Sequence, residues 1–176
     1  MTNRLNNAAM LHKQERALLE RLIDDVNDDA LCVVPAGHSN NILWNLGHIV
    51  AAQQLLTYKL SGLDMYVSDE FIAAFRGGTS PADWQSTPDI IQIKSFVREL
   101  PGRFKEDLEA GLFVDYQGYS TSTGLELNTF EDGVIFNQFH EGILSTHHSI
   151  FGSGFPWNLE CPRGVRDSPV PGVASP

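Results

Sequence analysis

Hydrophobic positions return at helical rather than strand spacing along most of this chain. Between Asn3 and Asn27, Leu11, Leu18, Leu19, Leu22, Ile23 and Val26 recur in helical phase, while Glu15, Arg16, Glu20 and Arg21 fill the gaps. That pattern predicts an amphipathic helix with its leucines turned to a core. A polar loop follows over 28–40, with Ser39 and Asn40 as N-caps of the next element. The second helix is predicted over Ile42 to Leu60 and is stopped by Gly62 as its C-cap. It is apolar on nearly every face, which marks it as the most buried helix. The stretch 61–87 holds a short helical piece, "DEFIAAFRG", and then a Gly/Pro loop, "GGTSPADW".

Ser86 and Thr87 read as a cap before Pro88 at the first helical position, which predicts a third helix from Pro88 to Glu109. Its inward stripe is Ile93, Val97, Leu100, Phe104 and Leu108. Pro101 falls inside this stripe, and the phase holds on both sides, so a kink is expected rather than a break. "VDYQGYSTSTG" reads as a polar loop. Thr129 and Asp132 then form a capping box for a fourth helix, Phe130 to Phe151. Four helices of about 20 residues without a strand pattern predict an all-α four-helix bundle with long connections. The expected domain is 1–152. Residues 153–176 hold five of the nine prolines and read as an irregular tail, with cloning-derived, non-native sequence as the alternative.

Charge narrows the function classes. The formal net charge is −10, from 12 Lys+Arg against 22 Asp+Glu. That balance argues against nucleic acid or anionic lipid as a partner, because phosphate contacts need a basic face. The two cysteines, Cys32 and Cys161, have neither disulfide-framework nor metal spacing and read as reduced thiols. No apolar run approaches the ~20 residues of a membrane span, and the polar N-terminus has no signal-peptide character. A cytoplasmic protein with no membrane association is expected.

The chemistry concentrates in "FNQFHEGILSTHHSIF", where His140, His147 and His148 share one predicted helix. His147 falls about 20° from His140 around the helix, but seven residues give about 10.5 Å of rise, too far for one ion with bonds near 2 Å. The useful helical spacing is i, i+4, and four residues after His140 stands Leu144. The stretch therefore supplies one good ligand, His140. His48, in "NILWNLGHIVAAQQLL", lies on the face of Trp44, Ala51, Ala52 and Leu55, which turns it inward. The small residues Gly47, Ala51 and Ala52 around it leave room for a pocket. Taken alone, each histidine is either a hydrogen-bonded core residue or a ligand. Gly142 is read as a close helix approach, with ligand access as the other option. Trp44, Trp84, Phe136 and Phe139 are read as core aromatics.

These residues carry a resemblance. "ILWNLGHIVAAQQLL" resembles the second helix of the DinB-like (YfiT-like) metalloenzyme superfamily. "GTSPADW" followed by "PDI" is similar to its middle segment, and "FNQFHEGI" to the start of its last-helix motif, His-Glu/Asp-x-x-His-x-Gly. The resemblance covers about residues 5–151. It implies a four-helix bundle, commonly a homodimer, whose three histidines bind nickel, zinc or another divalent ion, with thiol-dependent transferases or isomerases among its members. Carried over by position, it implies His48 and His140 as metal ligands. The third histidine falls on Leu144, and the motif's glycine on Thr146. Glu141, turned about 100° from His140, is expected to support a ligand or join two helices rather than bind metal.

Two readings follow. The first is a bundle protein with no assigned specific activity and a degenerate or weakened metal site at His48 and His140, acting as a binding or dimerisation module whose helix-lined pocket holds an apolar small molecule or nothing. The second is a divalent-metal-dependent thiol transferase or hydrolase acting on a small molecule.

Overall fold

The structure is a computed structural model that describes residues 3–24 and 26–149, with side chains described as far as Leu144. It is an all-α bundle. Helix α1 spans Asn3–Asp24, α2 Asp28–Leu31, α3 Ile42–Gln53, α4 Asp69–Phe75, α5 Ile90–Glu109 and α6 Phe130–Ser149. The four long helices pack as predicted: α1 lies against α5 and α6, and α3 against α5 and α6 with α4 laid across it. The main core joins Leu19 and Ile23 of α1, Leu43, Leu46 and Val50 of α3, and Ile93, Val97 and Leu100 of α5. None of the helices among the described residues is long and apolar enough to cross a membrane.

The termini differ from the predicted ones in ways that local chemistry explains. The cap of α3 is Asn41, not Ser39 or Asn40; its side chain accepts from the Trp44 amide at 2.7 Å and also donates to the Cys32 carbonyl. Helix α5 starts at Ile90 rather than Pro88, because Asp89 takes the Gln92 amide and so becomes the cap. Asn27 does not continue α1; it caps the short α2 by accepting from the Asp29 amide. The box opening α6 forms as predicted, with Thr129 and Asp132 each accepting the other's amide. Gly62 closes the second helix at φ 70°, a left-handed turn glycine enters without strain. Before it, the helix widens into a π turn over Gln54–Tyr58. There the Thr57 hydroxyl donates to the Gln53 carbonyl, within a buried set of Gln53, Gln54 and Thr57.

Three further expectations are corrected. Part of the predicted polar loop pairs as a small antiparallel hairpin, β1 (Tyr119–Ser120) with β2 (Glu126–Leu127). Phe139 is not a core aromatic: it is 60% exposed, whereas Trp44 is buried and Trp84 and Phe136 are half-buried. The inward face of α1 is Ala9, His12, Arg16, Leu19 and Ile23, so Leu11, Leu18 and Leu22 point outward with half or more of their surface exposed. The predicted tail lies outside the described residues.

A second cluster gathers Tyr58, Phe104, Leu108, Val134 and Ala9 at the other end of the bundle. The Tyr58 hydroxyl donates to Asp107 at 2.7 Å, and burial together with that carboxylate pushes its ionisation well above the ordinary range. Burial, with Asp132 nearby, pushes Tyr116 up to about 12 from its ordinary 10. Both tyrosines are harder to ionise folded than unfolded. The contribution of Tyr116 is therefore full below pH 10 and is lost as pH rises through about 12, while that of Tyr58 persists to still higher pH. An alkaline titration followed by phenolate absorbance and circular dichroism should show these tyrosines ionising together with loss of helix. Smooth ionisation near pH 10 with the helices intact would contradict this.

A histidine pair beside a buried ion cluster

Helices α3 and α6 each place a histidine four residues after an aromatic ring, on the same face. The Trp44 ring stacks on His48 at 4.6 Å and 17°, and the Phe136 ring on His140 at 6.4 Å and 25°. The two imidazoles meet across the helix interface with Nε2 facing Nε2 at 3.2 Å. On its other edge, His48 donates Nδ1–H to the Phe75 carbonyl at 2.7 Å. His48 is 6% exposed. Burial, with His140 adjacent, lowers its pKa to about 3 against the opposing pull of the Phe75 carbonyl. His140 is half-buried as a residue, yet its Nδ1 is covered and has no hydrogen-bond partner. Burial lowers its pKa as well; Glu141 opposes this and Arg16 adds to it. Both rings are therefore neutral near pH 7 and hold lone pairs, as metal ligation requires.

The pair can be tested as the remnant of a metal site from its own geometry. Two nitrogens bound to one ion at about 2.0–2.1 Å in tetrahedral geometry stand about 3.3 Å apart. The observed 3.2 Å matches that separation. The third position does not fit. Leu144, one turn on from His140, is half-buried and packs against the apolar core. Among the described residues no group of three or more His, Cys, Asp or Glu side chains is placed around one point. Among the described residues, His48 and His140 are the two imidazoles brought together here. His147 and His148 sit on the α6 backbone, but their side chains lie outside those described.

Glu141 is committed elsewhere. Its carboxylate takes a bidentate pair from Arg16, Nε to Oε2 at 2.7 Å and Nη2 to Oε1 at 2.9 Å. Asn137 donates to Oε1 at 2.7 Å, and His12 Nε2 lies 3.2 Å from the same oxygen. Arg16 Nη2 also reaches the Ile49 carbonyl, so the cluster ties α1, α3 and α6 together. Burial alone would raise the Glu141 carboxyl, but Arg16 and then His12 outweigh it and hold it well below the usual carboxylate range. With both oxygens engaged by Arg16, Glu141 is the helix–helix contact expected of it. Arg16, His12 and Asn137 were not singled out by sequence reasoning. The only signal was that Ala9, His12, Arg16, Leu19 and Ile23 share a helical face.

The glycine readings exchange places. Among the described residues, a β-carbon at Gly142 would meet the Glu15 carboxylate oxygen at 3.7 Å, an ordinary contact rather than a close approach. At Gly47 a β-carbon would sit inside the Phe75 ring, 2.5 Å from Cγ and closer to Cδ1 and Cε1. The space expected beside His48 is thus filled by Phe75 rather than left as a pocket. An apolar cavity of about 430 Å³ does open on the outer side of α6, lined by Leu125, Leu127, Ile135, Phe136 and Phe139 with Asp132 at its edge.

The family model for the DinB superfamily matches residues 11–143, more than half of the 176-residue chain. The match includes His48 and His140 and ends one residue before Leu144. No curated protein matches the chain.

Proposed function

The chain belongs to the DinB superfamily, and from that premise we propose that it is a helical-bundle binding protein built around a weakened, two-histidine metal site. His48 and His140 are its ligands, and Leu144 stands where a third would. The observation that carries this reading is the facing Nε2 pair at 3.2 Å, with neutral rings and an apolar residue in the next ligand position. A divalent ion such as nickel or zinc, when held there, would supply Lewis acidity toward a bound water or thiol. The chain's own part is to present the Nε2 lone pair of His48, to place His140 Nε2 beside it, where an ion would take the place of the proton His140 donates, and to hold the Glu141 carboxylate on Arg16.

Two protein ligands leave more of the coordination to water than the usual three or four, so affinity is expected to be low. Equilibrium dialysis of tag-free protein against zinc or nickel should show weak binding, of the order of one ion per chain only at high micromolar metal. His48→Ala and His140→Ala should each abolish it with the fold retained. Equal binding by wild type and both variants would defeat the reading.

The second reading, a metal-dependent thiol transferase or hydrolase acting on a small molecule, has one observation in its favour. Phe136 both stacks on His140 and lines the apolar cavity on α6, so an apolar molecule seated there would lie one ring away from the histidine pair. Turnover of thiol substrates by zinc- or nickel-loaded protein that disappears in His140→Ala would favour this reading over the first.

A further inference from the structure

Helix α4 sits in the long connection between α3 and α5, and its last turn ends against the histidine pair. The Phe75 carbonyl accepts the Nδ1–H of His48 at 2.7 Å. A carbonyl can only accept, and a neutral imidazole carries one N–H and one lone pair. His48 is therefore fixed with its proton on Nδ1 and its lone pair on Nε2, aimed at His140. His140 has no such restraint. Its Nε2 is the donor toward His48, and its own Nδ1 is buried without a partner.

The approach of α4 depends on its neighbours. Gly47 lies directly under the Phe75 ring, where any β-carbon would overlap the ring atoms. The flat face of His48 is held from the same direction. Trp44 stacks on the imidazole and donates Nε1–H to the Thr79 hydroxyl at 3.1 Å, just beyond α4. The single Thr79 hydroxyl proton is in turn shared between the carbonyls of Arg76 at 2.8 Å and Ala74 at 3.1 Å, and Trp84 Nε1 donates to Ala74. The end of α4 is thereby capped by side chains and held rigidly at the ring it serves.

We infer that α4 is the positioning element of the histidine pair: the Gly47 notch admits Phe75, whose backbone carbonyl locks His48 in the tautomer that presents Nε2. Gly47, Phe75 and Trp44 are positioning residues acting through His48. Outer hydrogen bonds of this kind orient metal-binding histidines and raise their basicity. The inference rests on the reading of His48 and His140 as the site, but the tautomer is set with or without an ion.

The test is long-range proton–nitrogen NMR of the imidazoles in ¹⁵N-labelled full-length protein, stripped of metal with chelator and held above neutral pH. Wild-type His48 should show a protonated Nδ1 and a bare Nε2. Gly47→Ala should lose that pattern and give the mixed tautomers of an unrestrained ring. Adding Phe75→Leu to Gly47→Ala should restore it, because the smaller side chain clears the notch while the backbone carbonyl remains. Should Gly47→Ala alone fail to fold, the double variant must recover both the helical spectrum and the Nδ1–H pattern. A wild-type His48 protonated on Nε2, or a folded Gly47→Ala protein with the pattern unchanged, would overturn the inference. The spectra need no metal. A protein that shows the Nδ1–H pattern but takes up no zinc would refute the proposed function and support this inference.

Discussion

Arg16→Met is expected to destabilise the protein by roughly 3–5 kcal/mol, the cost of removing one partner of a buried ion pair. Arg16 is 3% exposed and Glu141 0%, so the substitution leaves a carboxylate in the bundle interior with only Asn137 and His12 near it. Asn137 and His12 cannot replace the two charged hydrogen bonds that Arg16 supplied. For a chain of this size the loss corresponds to a fall in melting temperature of about 6–20 °C. The converse change separates the stranded charge from the packing. Arg16→Met combined with Glu141→Leu removes both charges, and it should be clearly more stable than Arg16→Met alone. Thermal unfolding followed by circular dichroism reads both. An Arg16→Met protein within about 1 kcal/mol of wild type would mean that the cluster is solvated and does not hold α1 to α6.

The second large effect concerns Leu144. Leu144→His places an imidazole one turn on from His140, the spacing at which two helical histidines share one ion. Without metal the substitution should cost stability, because Leu144 packs against the apolar core. With metal the sign reverses. Binding to the folded state alone stabilises by about 2.7 kcal/mol when free metal exceeds the dissociation constant a hundredfold. In this size class that is a rise of about 5–11 °C. Wild type at the same micromolar zinc should move far less, because two ligands bind weakly. If zinc leaves the melting temperature of Leu144→His unchanged, position 144 does not face the ion-binding point, and the last-helix correspondence is wrong.

Much of the fold was legible because apolar periodicity and burial coincide where a helix faces only hydrophobic neighbours. The α5 stripe of Ile93, Val97, Leu100, Phe104 and Leu108 is buried as read. On α1 the same logic failed. Its inward face has the right period, but two of its members are His12 and Arg16, and a hydrophobicity pattern cannot tell a buried ion cluster from a solvated face. The partner that makes Arg16 an inward residue, Glu141, stands 125 positions away. Leucines at 11, 18 and 22 then drew the stripe to the wrong side.

The candidate site divides in the same way. His48 and His140 were legible from helix phase and motif resemblance, and the structure places them face to face. What sets the orientation of His48 was not legible. It depends on a carbonyl at residue 75, and a backbone carbonyl carries no sequence signal. Gly47 and Gly142 look alike as mid-helix glycines. Only the placement of α4 shows that the first is a notch and the second makes an ordinary contact.

The proposed centre holds an ion through two imidazoles, those of His48 and His140. X-ray absorption of zinc-loaded, tag-free wild type counts those ligands directly. About two imidazole ligands per zinc are expected, with light oxygen donors completing a four-coordinate sphere. Three or more imidazoles in wild type, or a spectrum unchanged by His140→Ala, would contradict it.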